Sequence, residues 1–166
     1  MTNRIAVYPG TFDPVTNGHI DLIRRALAIF PQVVVGVAEN PGKGTLFSVG
    51  ERVAMLREAT RGLKGATVVP FGGLSVSFAR KNKARVIVRG LRMLSDFEYE
   101  FQLALTNRRL DPQVETVFLM PSAEYSYVSS RLIKEAAELG ADVKGLVPPV
   151  AAQSLRERLN HESQTE

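Results

Sequence analysis

At 166 residues, 45% hydrophobic and 23% charged, the chain has the length and composition of one ordinary domain able to bury most of its apolar surface. It has no cysteine, which excludes disulfides, thiolate chemistry and cysteine-ligated zinc or iron–sulfur centres. The formal charge of +4 suits acidic ligands or nucleic acid, but Arg80, Lys81, Lys83 and Arg85, and the pair Arg108 and Arg109, lack interleaved aromatic residues, so no nucleic-acid partner is expected.

The N-terminus passes within four residues into a strand pattern, without a charged leader and apolar segment of signal length, and no run approaches membrane-spanning length. A cytoplasmic protein with no membrane partner is expected. The apolar run Ile5-Ala6-Val7-Tyr8 reads as a buried strand, and Ile20, Leu22, Ile23, Ala26, Leu27 and Phe30 recur at helical spacing. Between them, Tyr8 to His19 is a strand-to-helix connection whose prolines, glycines and Asn-Gly pair stiffen the backbone.

Further strand-like runs occur at Val33–Ala38, Ala66–Phe71, Arg85–Arg89 and Thr116–Met120, each separated by a helical pattern. That alternation predicts a five-stranded parallel sheet covered by helices on both faces, a doubly wound α/β fold of Rossmann type. Ser48-Val49-Gly50-Glu51 and Ser95-Asp96-Phe97-Glu98 read as capping boxes. On the helix after the second box, Phe97, Phe101, Ala104 and Leu105 share one face, and Tyr99, Leu103 and Asn107 another. Gly140 to Pro149 contains a strand-like piece before a double-proline break, Val150 to Leu159 is an amphipathic helix, and residues 161–166 read as a frayed tail on a single domain of residues 1–160.

The usual phosphate loops are missing. No G-x-G-x-x-G follows the first strand, and Gly36 with Gly42-Lys43 has one residue too many for a P-loop, with Gly44 where Ser or Thr is required. What remains is a set of anion-binding groups after successive strands: Thr11 and His19, then Lys43, then Arg89 and Arg92, then Ser129 and Ser130. In a parallel sheet these gather at the carboxyl edge, where the helix starts after Asn17 and Val128 add partial positive charge. Each also has a plainer reading. His19 can be a structural residue at a helix start, Lys43 a solvated loop charge, one of the two serines a simple N-cap, and Glu100 a surface charge.

Taken together, Thr16-x-Gly18-His19 and Val128-Ser129-Ser130 resemble the two signatures of the nucleotidyltransferase α/β-phosphodiesterase superfamily. The longer motifs Tyr8 to His19, Arg89-Gly-Leu-Arg92, Asp96-Phe-Glu-Tyr-Glu100 with Gln102-Leu103, and Val117-Phe-Leu-Met-Pro121 resemble, more narrowly, the bacterial phosphopantetheine adenylyltransferase family, from Ile5 to about Leu159. The resemblance implies transfer of the adenylyl group of ATP to 4′-phosphopantetheine, giving dephospho-coenzyme A and pyrophosphate. The substrate phosphate would attack directly, with magnesium carried by ATP and no metal ligand from the protein. It further implies a homohexamer and coenzyme A as feedback inhibitor.

By position, His19 would stabilise the transition state, with Thr11, Lys43 and Arg89 as the other catalytic groups. ATP would meet Thr11, Phe12, Gly18, His19, Gly90, Leu91, Arg92, Glu100 and the run Tyr125, Ser126, Tyr127, Val128, Ser129, Ser130 and Arg131. Phosphopantetheine would meet Thr11, Lys43, Leu74, Ser75, Arg89, Leu103 and Asn107. The chain departs from the family pattern at Gly44, Ser75 and Arg131. Two other readings remain at this point: a related nucleotidyltransferase with nicotinate mononucleotide as acceptor, and a non-catalytic nucleotide-binding module.

Overall fold

The computed structural model describes residues 4–39, 42 and 44–162. Five strands, β1 (Ile5–Gly10), β2 (Gln32–Ala38), β3 (Ala66–Phe71), β4 (Val86–Gly90) and β5 (Glu115–Leu119), form one parallel sheet in the order β3-β2-β1-β4-β5. The expected doubly wound α/β architecture is therefore present, with strand limits shifted by a residue or two. The order reverses between β1 and β4, the place where open α/β sheets bind ligands.

Register explains why a crevice opens there. β1 pairs with β2 from Ile5↔Gln32 through Gly10↔Val37, but with β4 only at Ala6↔Val86 and Val7↔Ile87. Beyond those pairs the carboxyl ends of β1 and β4 splay apart. Successive strand residues point to opposite faces, so Ala6 and Tyr8 join one core with Val33, Val35 and Val37, whereas Val7 joins another with Ile87, Val76 and Phe78. The larger core packs helices α1 (Asn17–Ile29), α2 (Val49–Ala59), α5 (Ser130–Glu138) and α6 (Pro149–Glu162); the smaller packs α3 (Ser75–Lys81). Helix α4 (Leu94–Leu110) lies against β5 and α3, burying only Glu100 and Asn107. Among the described residues no helix is long and apolar enough to cross a membrane.

Local signals have mixed outcomes. The capping box at Ser48 and Glu51 forms, with each side chain bonded to the other residue's backbone amide. The second box does not. Helix α4 starts at Leu94 after Met93 as N-cap, with no side-chain cap, so Ser95 stands inside the first turn rather than at the cap position; Asp96 in that turn pairs with Arg92 at 3.3 Å. The strand-like piece after Gly140 reduces to one bridge between Lys144 and Val147, since Gly145 at φ 82° turns the chain between them. Helix α6 continues to Glu162, beyond the expected end at Leu159 and into the stretch read as tail.

Candidate active site

A cleft of about 520 Å³ occupies the crevice between β1 and β4, within the size range of small-molecule sites. The opening turn enters it from β1. Thr16 is the N-cap of α1: its hydroxyl accepts from the His19 amide at 3.3 Å, and its own amide donates to His19 Nδ1 at 3.0 Å. His19 thus stands where a capping box ordinarily has Glu or Gln. Because Nδ1 accepts, the proton of the neutral ring sits on Nε2, the one donor the imidazole can offer the cleft.

The ring is held in place from its other side too. Phe12 meets His19 edge-on at 4.9 Å and Tyr8 at 5.4 Å. Burial, reinforced by the positive charges of Arg92 and Arg89, pushes the His19 pKa down to about 3. His19 is therefore a neutral hydrogen-bond donor at physiological pH, unable to act as an imidazolium. Burial also raises the Tyr8 phenol well above its ordinary value, so it stays protonated.

Arg89 closes β4 and spans the splay. Its Nη1 donates to the carbonyl of Pro9 at 2.9 Å, a β1 acceptor that β4 no longer reaches, while Nε and Nη2 grip Glu100 at 2.9 and 2.6 Å. Burial alone would lower the Arg89 pKa, but the hydrogen bonds and charge of Glu100 outweigh it and raise it. Glu100 is 8% exposed, so the surface-charge reading fails: it faces inward from α4 to orient Arg89. Arg92 donates to the carbonyl of Val128 at 2.9 Å, tying the β4 loop to the start of α5.

There the Ser129 hydroxyl caps α5 by accepting from the Leu132 amide at 3.1 Å, and the Ser130 hydroxyl donates to the carbonyl of Pro14 at 2.7 Å. Two helix N-termini, α1 and α5, are thereby fixed at one cleft beside two arginines. Such an arrangement attracts and orients a polyphosphate.

Of the expected site residues, Thr11, Phe12, Gly18, His19, Arg89, Gly90, Arg92, Glu100, Val128, Ser129, Ser130 and Arg131 line the cleft. Arg131 pairs with Glu135 at 2.9 Å and its side chain is 87% exposed, so this departure from the family pattern projects to solvent at the rim. Leu91, whose amide donates to the carbonyl of Leu119, and Tyr125, Ser126 and Tyr127 in the turn before α5 lie outside the lining. So do Leu74 and Ser75 at the start of α3, and Leu103 and Asn107 on α4. Lys43 falls outside the described residues.

The structure adds groups that spacing does not single out. Lys134, one turn along α5 from Ser130, lines the cleft and pairs with Asp13 at 2.7 Å. Asp13 also accepts from the amides of Leu46 and Phe47, both at 2.9 Å, anchoring the loop before α2 to the opening turn. An i, i+4 step from Ser130 is the available signal for Lys134; nothing local announces the partners of Asp13.

A five-stranded parallel sheet whose switch-point cleft presents a neutral histidine donor and an anion cradle is suited to bind and orient a nucleotide's phosphates. Residues 7–136 match the cytidylyltransferase-like family model. A solved protein of Vibrio parahaemolyticus, assigned as a nicotinate-nucleotide adenylyltransferase, shares the fold at TM-score 0.74 and 16% identity, with 97% of each chain covered.

Sequence relatives are narrower. The chain is 56% identical over 155 residues to the phosphopantetheine adenylyltransferase of Moorella thermoacetica, covering 93% of this chain and 97% of that one. It is 52% identical to the protein of the same name from Syntrophus aciditrophicus, covering 93% and 94%. The chain belongs to the phosphopantetheine adenylyltransferase family.

Proposed function

We propose that this enzyme transfers the adenylyl group of ATP to 4′-phosphopantetheine, forming dephospho-coenzyme A and pyrophosphate for coenzyme A synthesis. The observation that carries the reading is His19: a neutral imidazole with its proton on Nε2, set among helix N-termini and arginines that suit a triphosphate. The names of the relatives supply the acceptor.

In the reaction a phosphate oxygen of phosphopantetheine attacks the α-phosphorus of ATP, and the bond from that phosphorus to the bridging oxygen of pyrophosphate breaks. No protein nucleophile takes part. His19 Nε2–H donates to an α-phosphate oxygen as charge builds there, and Thr11 places the attacking phosphate. Arg89 and Lys43 bind the acceptor phosphate, while Arg92 and the α5 start hold the departing pyrophosphate. Catalysis is then positioning and charge stabilisation, as is usual for phosphoryl transfer.

Magnesium supplies further charge neutralisation when it arrives with ATP. The cleft suits a metal held by phosphate oxygens, because its carboxylates Asp13 and Glu100 are committed to Lys134 and Arg89. Coenzyme A, which contains the product, would compete for this cleft.

Met93, Leu94, Phe97, Phe101 and Leu105 form an exposed apolar row, Leu94 at 91%, which suits burial of α4 against another copy of the chain; the hexamer itself is what the family resemblance implies. A cytoplasmic location goes with this metabolic role. The test is pyrophosphate release: it should require ATP and phosphopantetheine together, and nicotinate mononucleotide should not replace the latter. Release with nicotinate mononucleotide instead, or none from folded enzyme, would refute the reading.

A further inference from the structure

We propose that Arg52, on α2 and outside the cleft lining, is a positioning residue for adenylyl transfer: its buried guanidinium locks the Thr11 turn to the loop that follows β2. The inference rests on the function proposed above and extends it to a residue that touches neither substrate. Arg52 is 1% exposed. Its Nη1 donates to the carbonyls of Thr11 at 2.7 Å and Ala38 at 2.9 Å, and its Nε to the carbonyl of Phe47 at 3.1 Å. Those carbonyls belong to three segments: the opening turn, the end of β2, and the entrance to α2.

Burying a guanidinium this deeply is unfavourable unless its donors are met. Here backbone carbonyls meet those of Nε and Nη1. Asp13, the acidic group whose charge Arg52 feels, commits its carboxylate to Lys134 and to the amides of Leu46 and Phe47. The same loop is thus stapled to the opening turn twice, by Asp13 from one side and by Arg52 from the other.

The Thr11 carbonyl has particular leverage because the next residue is strained. Phe12 sits at φ 51°, in the left-handed region that phenylalanine seldom occupies, and is 2% exposed. Its ring packs so closely under Gly10 that a Cβ there would lie 2.8 Å from it, and its edge fixes His19. Strain of this kind persists only where the surroundings over-determine it. The Arg52 bond fixes the peptide that joins Thr11 to Phe12. Without the fork, the turn can relax toward an ordinary φ, carrying Thr11 and the Phe12 ring away from their cleft positions. Gly44 and Thr45, on the cleft wall in the loop that Arg52 staples at Ala38 and Phe47, would shift with it.

Lysine keeps the charge but replaces a planar fork by a single nitrogen that cannot serve all three carbonyls in one geometry. In Arg52→Lys enzyme that is folded by circular dichroism at 25 °C, kcat should fall about tenfold to a hundredfold, the range expected for misplaced reacting groups. The KM for phosphopantetheine should rise, while the calorimetric Kd for ATP should stay within about threefold. In a Thr11→Val background the same substitution should cost measurably less than in wild type, because part of its effect runs through the Thr11 side chain.

A lowered Tm with wild-type kcat and KM, or full additivity with Thr11→Val, would overturn the proposal by making Arg52 a stitch of the fold alone. Wild-type protein supplies a measurement immune to poor folding of the variant: the Arg52 Nε–H resonance should be protected from exchange and shift when phosphopantetheine binds. An unshifted resonance in saturated protein would overturn it. Wild-type turnover keeps the two readings apart: turnover with wild-type behaviour of Arg52→Lys sinks this inference alone, whereas no wild-type turnover sinks both.

Discussion

Replacing His19 with Asn separates its capping role from its chemical role. Asparagine Oδ1 can take the place of Nδ1 and accept from the Thr16 amide, leaving no atom where Nε2 stood. The α1 start should survive, with a Tm change of a few degrees, since the Thr16 hydroxyl still caps the amide at position 19. On the proposed mechanism what is lost is one donor to the charge developing on the α-phosphate, and removal of one such donor costs about 10²- to 10³-fold in kcat, roughly 2.7–4 kcal/mol. ATP affinity by calorimetry should change less than about threefold, because the contact strengthens only in the transition state. The pH dependence adds an independent check. With its pKa at about 3, roughly 1% of His19 is protonated at pH 5, against roughly 97% for an ordinary histidine. Pyrophosphate release should therefore show no ionisation near pH 6.5 that the Asn variant abolishes. Equal losses of kcat and ATP affinity, or a limb at pH 6.5 present in wild type and absent in the variant, would refute the neutral-donor role.

Arg89→Met should abolish phosphopantetheine binding by calorimetry and destabilise the fold by about 2–4 kcal/mol in urea, because it leaves Glu100 buried without its partner; adding Glu100→Gln should restore much of the stability and none of the binding. Asp21 accepts from the Ser122 amide and hydroxyl and from Arg25, and these bonds outweigh burial to lower its pKa. A depressed carboxylate contributes stability above its unfolded pKa of 3.8 and loses it as pH falls through the folded value. Asp21→Asn should thus cost about 1–2 kcal/mol at pH 7 and flatten the stability profile below about pH 4. In Gly36→Ala the new Cβ would lie 2.5 Å from the Phe78 ring and 2.9 Å from Phe71, prising apart rings stacked at 4.4 Å. A loss of about 1–3 kcal/mol in thermal or urea unfolding is expected.

Much of the site is legible in the sequence because parallel topology is a strong constraint. Once strands alternate with helices, Thr11, His19, Arg89, Arg92, Ser129 and Ser130 must emerge at one sheet edge, and they do line one cleft. What stays hidden depends on partners distant in the chain. Glu100 reads as a surface charge because periodicity on α4 cannot reveal that Arg89, on another element, draws it inward. Arg52 is not singled out by any motif, because its carbonyl partners lie in three separate segments. The box at Ser95 misleads because the helix begins one residue earlier, at Leu94, which leaves Ser95 inside the first turn and past the cap position. Backbone splay between β1 and β4, which makes the cleft, has no sequence signal.

The carboxylates beside the cations explain how this cleft reconciles attraction with order. Two polyanions have to meet there, and bare arginine and lysine side chains would supply the most field, but each would lose conformational freedom when a phosphate immobilised it. Glu100 fixes Arg89 and Asp13 fixes Lys134 before any ligand arrives, so that loss is largely taken at folding. Field is given up in exchange, since each carboxylate cancels part of its partner's charge. Arg89 nevertheless keeps donor capacity: its bonds to Pro9 and Glu100 use one hydrogen each on Nε, Nη1 and Nη2, and the guanidinium has five, leaving two for a phosphate. If pre-organisation outweighs field, Glu100→Gln, which restores charge and loosens the grip, should lower kcat even as it tightens ATP binding at low salt. Were field the stronger influence, both would improve together, and steady-state kinetics with titration of ATP at two ionic strengths would tell the two apart.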